Sequence, residues 1–344
     1  MGVPPPTRQR RMAPGAESGL VLARQRRDTI VTAFVALGRV AARRGCLGGG
    51  TMDRPSIAHQ LSFGHWGGGK GLFDKPCGIA IDAAMNVYVA DAGNGLVQVL
   101  DPEGRFIRAF GRGEGGWLKK VGKLIAPAGV AVDATGACYV TDVKLGVVKF
   151  DHDGHFLASF GPKGKREGEL NWPRGIHFDP EGSLWVVDAH NDRVQRFDPE
   201  GRFLFAFGGP GYDKEGRGKF NRPSDLAIDS EGCLYVTDTL HSSVQKFDPR
   251  GGFLATVGSP GSAEGELWWP RGITIDGEGR IFVVERMNHR VQVFDRDGRF
   301  LCAFGSEGKR NGQFKEPYGI AINGRSEAYV SDNGNNRVQR FAVT

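Results

Sequence analysis

Short apolar runs of five or six residues recur through residues 61–344, each ended by Gly, Pro, Asp or Asn. One unit shows the plan. "RGIHFD" begins at Arg174, "SLWVVD" follows a "PEG" turn, "RVQRFD" follows the loop "AHND", and "RFLFAF" follows a second "PEG" turn. Runs of this length, rich in Val, Ile, Phe and Trp and bounded by turn residues, predict strands. Nothing between them supplies a helix of useful length. The phrase "NDRVQRFDPEGRFLFAFG", residues 191–208, returns almost unchanged as "NHRVQVFDRDGRFLCAFG", residues 288–305.

The repetition covers the whole body of the chain. A proline opens each unit, at Pro76, Pro127, Pro173, Pro223, Pro270 and Pro317, with spacings of 51, 46, 50, 47 and 47. An acid closes the second apolar run of each unit, at Asp91, Asp142, Asp188, Asp238, Glu285 and Asp332, with the same spacings. Insertions therefore fall outside the shared core. A period near 48 predicts a repeat architecture, and four short antiparallel strands per unit predict an all-β fold, the β-propeller. The last unit, "YGIAINGRSEAYVSDNGNNRVQRFAVT", holds only three strands. Its missing fourth strand is supplied by "QLSFG", ending at Gly64, which lies 12 residues before Pro76, as Gly161, Gly258 and Gly305 precede their prolines. The expectation is a six-bladed β-propeller over residues 56–344, closed by an N-terminal strand at residues 59–64. Closure of this kind hides edge strands.

The pattern "PxGIAxD … YVxDxxNxRVQxFDxxGxFxxxFG" resembles NHL repeats over about residues 59–343. That resemblance implies the propeller and leaves activity open, because the superfamily includes RNA-binding tripartite-motif proteins, extracellular sensor domains, and metal-dependent lyases or lactonases. The amidating lyases among them place metal-binding histidines beside the blade-opening proline. Here those positions hold Cys77, Ala128, Arg174, Ser224, Arg271 and Tyr318, so the resemblance does not carry the lyase's ligands. No nucleophile elbow, phosphate-binding loop, dinucleotide fingerprint or HExxH motif is present. "GGGKG" at 67–71 lacks the strand-to-helix setting of a phosphate loop. No cofactor is expected, and no catalytic residue is assigned. The five cysteines form no CxxC pair; Cys138 and Cys233 lie in strand-like runs and read as buried free thiols.

Several repeated polar residues have structural readings. Asp82, Asp133, Asp179, Asp229, Asp276 and Asn323 each precede a turn such as "DPEG", where a short acceptor caps the turn backbone; Asp101, Asp198 and Asp295 repeat this at the second turn. A calcium-binding ring is the alternative. Arg193, Arg290 and Arg337 open the third strand in units three, five and six, where Leu96, Val147 and Ser243 stand in the others. Pairing with a nearby carboxylate is expected, with ligand contact as the alternative.

The candidate binding face is built from residues that vary while the strands do not. Arg174, Arg271 and Tyr318 are expected near one mouth of the channel, with Trp172, Arg222 and Trp269 immediately before three of the prolines. The tryptophans fit either ligand contact or packing between blades. His190, His241 and His289 lie in loops after the second strand of units three to five, and His177 in an innermost strand; a cluster of these is conceivable. The expected function is a non-catalytic module recognising a protein or small-molecule ligand. An RNA-binding domain is the alternative, and a metal-dependent lyase or lactonase-like hydrolase the second alternative.

Charge changes the weighting. The chain has a formal net charge of +6, but residues 1–60 hold ten arginines and three acids, so residues 61–344 carry 35 basic against 36 acidic residues. The basic character belongs to the N-terminal stretch and does not argue for nucleic acid binding by the body. Residues 1–55 read as a basic tail, a targeting segment, or an upstream stretch before a true start at Met52. The last would make the protein cytoplasmic; a targeting segment would make it exported or organellar. "TIVTAFVALGRVAA" is too short and too interrupted for a membrane span. Nothing in the pattern specifies oligomeric state.

Overall fold

A computed structural model of the chain describes Gly2 and residues 54–114, 121–209 and 217–344. Packing divides the chain into Met1–Thr51 and Met52–Thr344. Apart from Gly2, Arg54 and Pro55, the expected tail over residues 1–55 lies outside the described residues, as does the alternative start at Met52. Among the described residues no helix is long and apolar enough to cross a membrane.

Six four-stranded antiparallel sheets form the blades of a β-propeller. In blade three the strands are Pro173–Phe178, Leu184–Asp188, Arg193–Phe197 and Phe203–Gly208, from the innermost outward. Blade six takes Ile320–Ile322, Glu327–Asp332 and Arg337–Val343 from the end of the chain and Ile57–Phe63 from the beginning. The closing strand runs antiparallel to Arg337–Val343, from Ile57 opposite Val343 to Phe63 opposite Val338, with one irregularity between His59 and Leu61. Ser56 and Thr344 extend the ladder by exchanging backbone hydrogen bonds of 2.7 and 3.0 Å. The closing strand thus begins two residues earlier than the sequence pattern suggests.

The apolar core lies between blades. Six clusters of buried residues each span two neighbouring blades, and the sixth joins Phe63, Tyr329 and Val338 to Ile79, Val87 and Leu100, sealing blade six against blade one. Second strands are buried along their whole length because both faces meet a neighbouring blade. Cys138 lies in this core, whereas Cys233 is only half-buried, since its side chain lies at a strand start near the turn.

Around the axis the innermost strands approach too closely for side chains. A Cβ on Gly129 would lie 2.3 Å from the Arg174 carbonyl oxygen, and one on Gly272 would lie 2.6 Å from that of Tyr318. We expect Gly129→Ala to destabilise the propeller by about 1–3 kcal/mol through forced separation of blades two and three. Gly277→Ala, where a Cβ meets nothing within 4 Å, should change the urea midpoint little.

The repeated acids serve two structural purposes. Asp82, Asp133, Asp179, Asp229, Asp276 and Asn323 accept backbone N–H groups of their own turns, as in Asp229 Oδ1 with Glu231 N at 3.0 Å and Cys233 N at 2.9 Å. The acids closing the second strands are fully buried and pin the loop that leads into each innermost strand. Asp188, for example, accepts Asn171 N at 2.6 Å, Asn191 Nδ2 at 2.8 Å and Gln195 Nε2 at 3.1 Å. Arg193, Arg290 and Arg337 pair with Asp188, Glu285 and Asp332 at 2.8, 2.6 and 2.7 Å, and each also donates to two loop carbonyls. In blade two the equivalent position is Gly146, opposite Asp142, and not Val147. The connecting loop there is one residue shorter, so counting forward from the acid overshoots.

Candidate functional site

The antiparallel order places two sets of loops on one face of the ring: those entering the innermost strands and those joining second to third strands. Side chains reach this face through unusual backbone. Lys75, Trp172, Arg222, Trp269 and Glu316, each preceding a blade-opening proline, have φ between 47° and 57°. Bulky residues rarely adopt this left-handed region, so tertiary contacts hold them there. Three such contacts cross between blades: Lys75 N donates to Asn336 Oδ1 at 2.8 Å, Arg222 N to Asp192 Oδ1 at 2.7 Å, and Glu316 N to His289 Nδ1 at 3.0 Å.

Arg174, Arg271 and Tyr318 do meet at the channel mouth. Arg174 on blade three donates through Nη1 to the Tyr318 hydroxyl on the opposite blade six, at 2.6 Å. Arg271 lies over the Tyr318 ring, 5.6 Å from its centroid, and 6.0 Å from that of Trp269. Hydroxyls of alternate blades hold the backbone beneath them: Thr237 Oγ1 donates to Arg271 O at 2.7 Å, Ser331 Oγ to Cys77 O at 2.6 Å, and Thr141 Oγ1 to Arg174 O. Below the mouth, Arg174, His177, Ser224, Asp225 and Tyr318 border an axial cavity of about 20 Å³, the room of a single water.

Trp172, His190 and Arg222 form a second group outside the mouth. The Trp172 and His190 rings stack with centroids 4.5 Å apart and planes 8° from parallel. Lys144 lies 5.4 Å from the Trp172 ring centroid, and Arg222 Nη1 contacts His190 Nε2. Burial, then the charges of Arg222 and Arg174, lower the His190 pKa below its ordinary 6.5. The fold therefore disfavours the imidazolium. Stability should be unaffected by this group above about pH 6.5 and should fall as pH drops from there toward the lowered folded value. His190→Ala should remove that part of the pH dependence in thermal melts between pH 7 and 5.

The four histidines are not brought together. His177 Nε2 faces Asp225 Oδ1 at 3.2 Å in the channel wall, His190 belongs to the tryptophan stack, His241 Nδ1 meets buried Asp238 at 2.7 Å, and His289 accepts from the next blade. Among the described residues no three His, Cys, Asp or Glu side chains converge as metal ligands.

Asp225 and Trp268 do not stand out in the sequence pattern as site residues, and Ser224 stands there only as a blade-opening position. The opening motif places glycine at 78, 129, 175, 272 and 319, and Asp225 is the one departure. That break in pattern was the available signal. Its carboxylate fills space beside Gly175, where a Cβ would meet Asp225 Oδ1 at 2.2 Å. Trp268 is the first of two adjacent tryptophans, and it is 47% exposed while Trp269 is half-buried.

These features define a six-bladed β-propeller whose sequence-variable residues gather on one face. Comparison with known proteins agrees and narrows the class. The NHL repeat model matches residues 220–247 and 267–294. The chain is 33% identical over 160 residues to Protein brain tumor of Drosophila melanogaster, covering 46% of this chain and 15% of that protein. It is 28% identical over 147 residues to human NHL repeat-containing protein 3, covering 39% of this chain and 42% of that protein. The matches thus span less than half of either relative. Among solved structures, a gluconolactonase from Xanthomonas campestris superposes with a TM-score of 0.59 at 18% identity, covering 79% of this chain and 87% of that one, a likeness of fold alone. The chain is a six-bladed β-propeller in which two units match the NHL repeat.

Proposed function

We propose that the protein is a binding module that presents the mouth face to a protein partner. One observation carries this reading. Ile125, Leu145, Trp172, Leu240, Trp268 and Met287 are all exposed, and all lie in the two loop sets of that face. Exposed aromatic and large aliphatic side chains beside arginines have the composition of interaction hot spots. The remaining exposed large side chains include Ile107, Leu157, Leu204 and Leu254, which occupy one repeated position in the outer strands and follow the repeat rather than a site. The proposed module comprises residues 56–344. A photo-crosslinking residue at position 240, exposed on the same face, should capture one discrete protein, and Trp172→Ala with Trp268→Ala should abolish capture. A crosslinker at position 231, in a turn joining first and second strands on the other face, should not capture it. Equal capture from both positions would count against the reading.

A second reading, RNA recognition, is favoured by the stacked Trp172–His190 pair flanked by Lys144 and Arg222, because aromatic and guanidinium planes suit unstacked bases. The charge balance of residues 61–344 weighs against it. Residues 56–344 titrated with pooled single-stranded RNA near physiological salt should show weak, nonselective binding if the protein-partner reading holds. Sequence-selective submicromolar binding, reduced by Arg174→Ala and Arg271→Ala, would favour RNA. Phosphate contacts would add a salt slope of about 0.7 per neutralised phosphate.

A further inference from the structure

Most buried or half-buried arginines of the propeller have a carboxylate within reach: Arg193, Arg196, Arg280, Arg286, Arg290, Arg337 and Arg340 all do. Arg108, Arg174 and Arg271 break this rule, and of these Arg108 lies in an outer strand away from the mouth, donating to the Tyr88 hydroxyl at 3.0 Å. Among the described residues neither Arg174 nor Arg271 has a carboxylate partner, although Arg271 is only 7% exposed and its Nε has no hydrogen-bond partner. Its neighbours are the faces of Trp269 and Tyr318. A guanidinium taken out of water without a counter-ion is a large desolvation cost, and proteins seldom keep one unpaired.

The local acids are already engaged. Glu316 is held by Arg286, whose Nε also donates to it at 3.1 Å. Asp225 accepts Leu226 N at 2.9 Å and Ile273 N at 3.3 Å and faces His177. The Cys77 thiol is pushed up to about 11 by its burial, against the pull of Arg174 and Arg271. It therefore stays neutral at pH 7 and supplies no negative charge. Burial likewise lowers Arg271 to about 10, which leaves it cationic at neutral pH. Two further groups complete the setting. Ser224 Oγ is buried at the cavity wall without a partner, in a residue 2% exposed. The Tyr318 hydroxyl accepts from Arg174, which leaves its own proton to donate.

We propose that the channel mouth is a carboxylate-binding site, with Arg174 and Arg271 supplying charge and Tyr318 and Ser224 supplying hydroxyl donors to one small anionic group. The axial cavity below has only the room of a single water, so the carboxylate would sit at the mouth above it, as a small free acid or as the terminus of a longer chain. The inference rests on the binding reading in placing a ligand at this face. It is separable from it, because a partner can dock on the rim while the mouth stays empty.

The full-length protein is titrated with acetate, with N-acetyl-diglycine, with the C-terminal amide of that dipeptide, and with phosphate, each against chloride at matched ionic strength. Acetate at about 100 mM should raise the melting temperature by about 2 °C. The dipeptide acid should bind at least as well as acetate if the natural source is a chain terminus, and worse if it is a free small acid. The amide should not bind. Arg271→Met and Arg174→Met should each weaken acetate binding at least about tenfold, the scale of one lost charge-assisted contact. An independent readout needs no ligand: Arg271→Met should leave the melting temperature unchanged or raise it, whereas Arg290→Met should lower it. Absence of any shift beyond chloride, binding of phosphate alone, or full binding by both arginine variants would overturn the site. So would an Arg271→Met variant as destabilised as Arg290→Met, since Arg271 would then be a packing residue.

Discussion

Removal of residues 1–65 should collapse the cooperative unfolding transition and promote aggregation, whereas removal of residues 1–55 should leave the denaturation midpoint of the propeller intact. The ten residues between the two cuts contain the whole closing strand, Ile57–Phe63. Without them Arg337–Val343 becomes an exposed edge with unpaired backbone groups, a template for pairing with other chains. Phe63 also leaves the seam that it shares with Val338 and Tyr329 on one side and with Ile79, Val87 and Leu100 on the other. Burial of a phenylalanine is worth about 1.5–3 kcal/mol, and the lost ladder and exposed neighbours add to this. The sum is a large part of the roughly 5–15 kcal/mol that a domain has to spare. Phe63→Ala in the full chain is the milder version, with an expected loss of about 3–5 kcal/mol. Equal urea midpoints for the two truncations would refute closure by this strand.

Replacing Asp188 by alanine should be nearly as severe. Its carboxylate is fully buried and gathers Asn171 N, Asn191 Nδ2, Arg193 Nε and Gln195 Nε2. Asp188→Ala leaves a guanidinium and three other donors without their acceptor, and breaking a buried pair in this way costs about 3–5 kcal/mol. Arg193→Ala should cost less, about 1–3 kcal/mol, because Asp188 retains three donors. Blades one, two and four carry Leu96, Gly146 and Ser243 at the position and still close their loops. Chemical denaturation of both variants tests the asymmetry. A loss for Asp188→Ala no greater than that for Arg193→Ala would mean that the ion pair, rather than the carboxylate's grip on the loop, stabilises the blade.

The architecture was legible along the chain because its causes are local. Strand length, turn residues and the spacing of the opening prolines each depend on a few neighbouring residues, and sixfold repetition makes the signal redundant. The missing fourth strand of the last unit announced closure by arithmetic alone. The turn-capping acids and the partners of Arg193, Arg290 and Arg337 were readable for the same reason, since acid and arginine lie five residues apart on adjoining strands. Register was harder, and one deleted loop residue moved the equivalent position from Val147 to Gly146.

The channel chemistry depended on distance in space. Arg174 and Tyr318 are separated by 144 positions and hydrogen bond only because blades three and six face one another across the axis. His190, His241 and His289 shared one loop type in the sequence and His177 lay in an innermost strand, but each found a different neighbour, so the four separate into a channel wall, a tryptophan stack, a buried carboxylate and a clip between blades. Composition alone distinguished neither an arginine with a counter-ion from one without, nor an exposed tryptophan from its half-buried neighbour. Those differences arise from which side chains the ring closes against one another, and desolvation acts only once that packing exists.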